Sequence, residues 1–333
     1  MRIRAVAAAI LAVLFGYIAT VYADPTKIRI GWAVVPSSLT PILFTPPGLA
    51  RHLDKSYSLD LIHFIGTAPQ VTALAANDVD IADMSFAAFG AAIENAHIDD
   101  LKIINDGVED GVGGHENNEF LVLKDAPIAT IEDLKGKVTA TNTIGGAMDM
   151  GIRAMLRQHG LLDKRDYSVI EADFGTMKSL LEQKKADLIS GVPPFSLNAE
   201  LRAESRRLFT LKDAFGPVQL IFAVARQGFL TKNRAAVVDF LEDEFRAIRW
   251  YIDPANHTQA IAFTAAFMKL PPAAIDWAFT EKDNYRDPSG VPNLAALQSN
   301  LDTQKQLGFL KTDIDVKRHA DLSLVEEAVK RLN

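Results

Sequence analysis

The chain has 333 residues, 48% of them hydrophobic and 23% charged, with a formal net charge of −7 at pH 7. That length suits two lobes with ample core, and the charged fraction is that of an ordinary globular protein. The acidic balance and the lack of a basic patch exclude nucleic acid as a partner, and the absence of cysteine removes disulfides, thiolate metal sites, a cysteine nucleophile and a lipid-anchor cysteine.

Arg2 and Arg4 precede an apolar run from Ala5 to Ile18, and Val21-Tyr22-Ala23 then places small residues at a cleavage site before Asp24-Pro25. This pattern predicts a secretory signal peptide over residues 1–23. The run is shorter than the roughly 20 residues a membrane span needs. An exported chain without an anchor or cysteine is expected in the periplasm of a Gram-negative bacterium.

From Lys27 the pattern alternates. Residues 27–32 predict a strand. A Pro/Ser loop follows, and a helix is expected over 42–53, interrupted at Pro46-Pro47. Residues 59–64 predict a second strand. Gly66-Thr67 opens a helix with a capping box from Thr67 to Gln70, ending near Asn77. A short strand is expected at 79–82, an Ala-rich helix at 86–95 after Ser85, and a fourth strand at 101–105. Residues 107–118 (GVEDGVGGHENN) break this composition and read as a surface loop. Short loops between alternating strands and helices imply a sheet covered by helices on both faces. Ligands of such sheets sit at the carboxyl ends of the strands, here Val35 to Ser38, Gly66-Thr67 and Ser85-Phe86.

The alternation restarts at a strand over 119–123 and a short helix over 130–134. Residues 138–162 then read as strand, turn and helix. The turn is Asn142-Thr143-Ile144-Gly145-Gly146, and Gly160 stops the helix. A helix start leaves backbone N–H groups without partners and carries partial positive charge, and the Gly-Gly pair lets a small anion approach the backbone. Strands at 167–171 and 186–189 flank a helix at 176–184, and Ser190 to Phe195 follows the second of them. A strongly apolar strand is expected at 219–225. Helices are then expected at 232–252, 256–268, 272–279 and 293–307, with a last one opening on a Ser323–Glu326 capping box. Each is apolar on one face only and needs the first lobe to cover. The expected lobes are therefore 24–107 with 219–333, and 108–218.

Three motifs in order carry a family resemblance. They are Ala73-Leu74-Ala75-Ala76-Asn77-Asp78-Val79-Asp80-Ile81 before the third strand, Asp133-Leu134-Lys135-Gly136-Lys137-Val138 in the second lobe, and Gln183-Lys184-Lys185-Ala186-Asp187 before a later strand. With IRIGW at the first strand, the chain resembles the periplasmic substrate-binding proteins of ABC importers, in the nitrate, taurine and alkanesulfonate branch. The resemblance implies an α/β fold of two lobes (the type II periplasmic binding protein fold), with two parallel or mixed sheets flanked by helices and hinge crossovers between them. It further implies a monomer that binds a small organic anion, a sulfonate or an aromatic or alkyl carboxylate, and hands it to an inner-membrane ABC permease. Carried over by position, the ligand loops are Ser37-Ser38, Thr67, Ser85 and Thr143-Ile144-Gly145-Gly146. Where the family often has an acidic-Pro-aromatic element, this chain has Pro193-Pro194-Phe195, which disfavours a ligand bearing an amine.

The residues point the same way without the family. Ser37, Ser38, Thr67, Ser85 and Thr143 are hydroxyl donors at strand ends that lead into helix starts. No arginine lies in these loops, so neutral donors and helix dipoles would hold the anion. Phe86, Phe195 and Trp32 are expected as apolar walls, and the full expected set adds Asn142, Gly145, Gly146 and Pro193. No GxSxG or HExxH motif is present, no cofactor is implied, and His115-Glu116-Asn117-Asn118-Glu119 lacks a second histidine at metal-ligand spacing. A solute receptor and not an enzyme is expected. The alternatives are an enzyme on the same frame, similar to a pyrimidine-precursor synthase, and a sensor that presents its ligand to a membrane kinase.

Overall fold

The computed structural model describes residues 24–332. The predicted signal segment lies outside the described residues. Among these, no helix is long and apolar enough to cross a membrane.

Two five-stranded sheets organise the chain. Strand β1 (Thr26–Trp32) pairs in parallel with β2 (Tyr57–His63), which is followed by helix α1 (Ala68–Ala75). Strand β3 (Ile81–Met84) pairs in parallel with β1 and leads into α2 (Phe86–Glu94). Strand β4 (Leu101–Asp110) then ends this part of the sheet. The expected helix over 42–53 does not form, and the chain from Ala33 to Ser56 is turns and bends. Pro36, Pro41, Pro46 and Pro47 remove backbone donors throughout that stretch. Burial of Ile42 and Leu43 against the core holds it instead.

Residues 107–110 are likewise strand and not surface loop, with Val108, Glu109 and Asp110 all buried. Their carboxylates are matched by amides: Asn293 Nδ2 donates to Glu109 at 2.7 Å and the Asn117 backbone N–H to Asp110 at 2.9 Å. Hydrogen bonding thus meets the burial of Glu109 and of one Asp110 oxygen, while Asp110 Oδ2 is buried without a partner.

The second sheet begins at β5 (Glu119–Leu123) and β6 (Val138–Thr141), followed by α3 (Ala147–Gln158). Gly160 ends α3 at φ 78°, as its position predicts. Strand β7 (Ser168–Glu171), α4 (Met177–Glu182) and β8 (Leu188–Gly191) complete the parallel set β7-β6-β8. Helix α5 (Ala199–Glu204), edge strand β9 (Ser205–Thr210) and α6 (Leu211–Phe215) are additions to the expected pattern. Strand β10 (Val218–Arg226) returns to the first sheet and lies antiparallel between β3 and β4. The orders are β2-β1-β3-β10-β4 and β7-β6-β8-β5-β9, so in each sheet four strands run one way and the strand in the fourth place is reversed between its neighbours. The chain crosses between them twice, after Asp110 and before Val218.

Helix α7 (Gln227–Ile252), with a break at Asn233, then covers the first sheet, and α8 (His257–Met268) follows. The helix expected at 272–279 is only a single turn over Pro272–Ala274, because two prolines open it. Helices α9 (Leu294–Gln306) and α10 (Leu322–Leu332) close the fold. Ser323 falls inside α10 and donates to Asp321, so the expected capping box is not made. One apolar cluster runs from α2 through α3 and α6, joining the two halves at Phe86 and Phe215, whose ring centres are 4.8 Å apart.

Candidate functional site

A cavity of about 70 Å³ lies where the strand ends of both sheets meet. From the first sheet come Val34, Ser37 and Ser38 after β1, Gly66 and Thr67 after β2, and Ser85 after β3. From the second come Asn142, Thr143 and Gly146 after β6, and Val192 after β8. All lie at carboxyl ends of parallel strands, where the topology of open α/β sheets places ligands.

Three helices begin at this cavity. Thr67 precedes α1, Ser85 caps α2, and Gly146 precedes α3. The first N–H groups of a helix have no partner within it and carry partial positive charge. No side chain lining the cavity is charged. The positive field there comes from aligned backbone dipoles, supplemented by hydroxyl and amide donors.

The Thr67–Gln70 capping box is not formed. Thr67 Oγ1 instead bonds Ser85 Oγ at 2.9 Å, and the Gln70 side chain accepts the Asp83 N–H at 3.0 Å. Ser85 Oγ also accepts the Ala88 N–H at 3.3 Å, so it caps α2 and ties α1 to α2 at once. Ser37 belongs to a chain of amides that spans the halves. Asn284 Nδ2 donates to Ser37 Oγ at 3.2 Å, and Asn118 Nδ2 donates to Asn284 Oδ1 at 2.8 Å. Ser38 lies over the buried Asp83, whose carboxyl burial pushes up to about 6 while the Ser38 hydroxyl bond pulls it down.

Across the cavity Asn142 Nδ2 donates to the Ile65 carbonyl at 3.1 Å. Thr143 is 2% exposed, and its Oγ1 is buried without a hydrogen-bond partner. A Cβ on Gly66 would lie 2.6 Å from that oxygen and 2.8 Å from Asn142 Nδ2, so only a glycine lets the two halves approach this closely. Thr143 therefore has an unused donor at the point of nearest contact.

The structure redistributes the other expected residues. Phe86 is 0% exposed and is core against Phe215, not a wall. Gly145 takes φ 84° but does not line the cavity, because its N–H is held by Asp149 at 2.8 Å. The Ile144 N–H is likewise held by Glu171 at 2.5 Å. Two of the loop amides expected to meet an anion are thus satisfied by the protein's own carboxylates. Asp149 is in turn bound by Arg153 at 2.8 Å. The residues of this stretch that remain at the cavity are Asn142, Thr143, Gly146, Ala147 and Met148. Pro193 is buried and lines no cavity wall, and Trp32 packs on His63 and Phe267 instead. Phe195 borders an adjoining chamber and stacks on Phe174, with ring centres 5.8 Å apart. Sequence reasoning missed Phe174, Asn118, Leu220 and Ile221, which also line the cavity.

His115, singled out as a metal-like motif, bonds the Asp283 carbonyl at 2.7 Å. His52, Asp239 and Glu242 form the one His/Asp/Glu cluster of metal-ligand dimensions among the described residues. Both carboxylates are already engaged, Asp239 by Arg331 at 2.8 Å and Glu242 by Arg246. The cluster is an ion-pair network.

Two mixed sheets facing each other, with a cavity at their strand ends, define the bilobed fold of periplasmic binding proteins. The resemblance read from the sequence motifs is borne out. Residues 112–256 match the NMT1/THI5-like family model. The periplasmic aliphatic sulphonate binding protein SsuA from Escherichia coli is similar at 21% identity, with a TM-score of 0.66, over 89% of this chain and 92% of that one. The alkanesulfonate-binding protein SsuA from Xanthomonas axonopodis pv. citri, bound to MOPS, is similar at 19% identity and a TM-score of 0.71, over 90% and 99%. The periplasmic nitrate-binding protein NrtA from Synechocystis PCC 6803 is similar at 14% identity and a TM-score of 0.71, over 93% and 89%. The desulfurization enzyme DSZB shares the fold at 10% identity, with a TM-score of 0.65, over 92% and 100%. No curated protein matches the chain by sequence.

Proposed function

We propose that the chain is the periplasmic solute-binding component of an ABC importer. It captures a small organic anion, a sulfonate or a carboxylate, between its lobes and delivers it to an inner-membrane permease. The lobes are residues 24–107 with 219–333, and 108–218, moving as a monomer about the two crossings. The single observation that carries this reading is the convergence of three helix starts on a cavity without charged lining, with Thr143 Oγ1 buried there and unpartnered. Such a site favours negative charge through backbone dipoles. An amine would meet no carboxylate lining it.

Closure follows from differential contact: a ligand that touches Thr143 on one lobe and Ser38, Thr67 or Ser85 on the other stabilises the closed form over the open one. Sulfonate- and nitrate-binding proteins of the same fold support the class. The enzyme sharing the fold makes catalysis the second reading, which would require turnover of the bound anion.

The test is a thermal-shift screen of alkane and arene sulfonates, carboxylates, nitrate and pyrimidines, with small-angle scattering of the best binder. A raised Tm together with a smaller radius of gyration is the expected result. A screen in which no anion raises Tm, or in which the bound compound is converted to product, overturns the receptor reading.

A further inference from the structure

The stretch His115-Glu116-Asn117-Asn118, which lacks the spacing of a metal site, has another use in the structure. His115 Nδ1 and Asn117 Nδ2 both donate to the Asp283 carbonyl at 2.7 Å. Asn118 Nδ2 donates to Asn284 Oδ1 at 2.8 Å. Three side chains of the first crossing thus close on two residues of the C-terminal segment. Asn118, Asp283 and Asn284 are 2%, 1% and 3% exposed, so the contact forms out of water, where a lost partner is costly.

The two sides of this contact belong to different lobes. Residues 285–293 are sewn to the first sheet. Tyr285 and Glu109 exchange both backbone bonds, at 2.8 and 3.0 Å, and the Asp106 N–H donates to the Gly290 carbonyl at 2.8 Å. The Asn293 N–H donates to Gln219 Oε1 at 2.6 Å. Asn284 Nδ2 reaches Ser37 Oγ, in the loop after β1 of the same sheet. Asn118 goes with the second sheet instead: its carbonyl accepts the Leu211 N–H of α6 at 2.9 Å, and β5 begins at the next residue. Between Glu109 and Asn118 the chain turns through Gly111, Gly113 and Gly114 at φ 74°, 58° and 91°, a backbone that other residues resist. The pivot of the first crossing therefore lies between a point fixed to one lobe and a point fixed to the other. The Asn118–Asn284 bond spans it.

Ser37 and Asn118 both line the inner cavity, whereas Asn284 is not a wall residue. We infer that Asn284 is a closure latch. It is a positioning residue that joins Ser37 of the first lobe to Asn118 of the second and holds the closed form without touching the ligand. This rests on the receptor reading above and adds to it what keeps the lobes shut. A bond made only in the closed form slows reopening and leaves the encounter with the open form unchanged. The latch thus acts on koff, and to the same degree for any anion.

Stopped-flow binding of methanesulfonate and of butanesulfonate, followed by tryptophan fluorescence, tests it. In Asn284→Ala, koff should rise roughly fivefold, the net contribution of one neutral hydrogen bond, while kon stays within about twofold. The factor should be the same for both anions. Asn284→Ser keeps a hydroxyl among the buried neighbours but is too short to span both partners; it should show the same rise, and it serves if the alanine variant does not fold. On an Asn118→Ala background, where the latch is already open, Asn284→Ala should add less than about twofold. An unchanged koff in the Asn284 variants overturns the latch, as does a full further factor on the Asn118→Ala background. A factor that differs between the two anions also overturns it, because Asn284 would then be a ligand contact. Each of these leaves the receptor reading standing, whereas failure of both anions to bind the wild type removes both.

Discussion

The unpartnered hydroxyl of Thr143 gives a prediction in which stability and affinity move in opposite directions. Thr143→Val keeps the shape of the side chain and exchanges the hydroxyl for a methyl. In the free protein that hydroxyl is buried with nothing to bond, and an unsatisfied buried polar group costs about 1–3 kcal/mol. Removing it should leave the ligand-free Tm unchanged or raise it by a few degrees. In the complex the hydroxyl is expected to donate to the anion, and a hydrogen bond to a charged group contributes about 1.5–3 kcal/mol. Affinity for butanesulfonate should therefore fall roughly 10- to 100-fold by calorimetry. A variant that is clearly destabilised yet binds normally would refute the reasoning, because the hydroxyl would then serve the fold and not the ligand.

Gly66→Val should wedge the halves apart, since even a Cβ would lie 2.6 Å from Thr143 Oγ1; affinity should fall at least tenfold, and ligand should no longer shrink the radius of gyration. Phe86→Ala should lower stability by about 3–5 kcal/mol through loss of the contact with Phe215, visible as a Tm lower by about 10 °C, with affinity near wild type below the new transition. If Phe86 were instead a ligand wall, affinity would drop with little change in Tm.

The architecture was legible because alternation between strand and helix is a local property of hydrophobic spacing. What the sequence hid is where distant parts compete for the same groups. Thr67 and Gln70 have the spacing of a capping box, but Ser85 and Asp83, brought close by the pairing of β1 with β3, take both side chains. The stretch 42–53 has helical spacing, but its prolines and the burial of Ile42 and Leu43 decide otherwise. Strand β9 escaped because it is an edge strand carrying Arg206 and Arg207, which look like surface loop. The hydroxyls of the site could be found as polar residues at strand ends. Phe174 and Asn118 could not, since their place depends on contacts with residues such as Asn284, 166 positions away. One error was avoidable: Asp149 stands in the first turn of α3, where a carboxylate competes with any anion for the loop amides.

The acids around the cavity bear on how it can hold an anion at all. Asp149 is bound by Arg153, and Glu171 accepts the Ile144 N–H. Asp83 has no cation among its hydrogen-bond or ion-pair partners; burial pushes its carboxyl up to about 6 against the Ser38 hydroxyl, and burial, helped by the charge of Asp83, pushes the Glu244 carboxyl up to about 8. In the unfolded chain it would titrate near 3.8. The folded state therefore holds the proton more tightly, so this group's contribution to stability is full below about pH 4 and is lost as pH rises through about 6. The same proton matters to binding. Neutral Asp83 leaves the field of the helix starts intact, whereas ionised Asp83 places a negative charge behind Ser38. Bound anion should raise the Asp83 carboxyl further, so affinity should be flat below pH 6 and fall above it, by at most tenfold per pH unit for one linked proton. Asp83→Asn should abolish that slope and keep the low-pH affinity up to pH 8. Calorimetry of butanesulfonate binding from pH 5 to pH 8 measures both. Equal slopes in wild type and variant would show that Asp83 does not set the charge beneath the site, and a flat wild-type profile would show that its ionisation is not felt by the ligand.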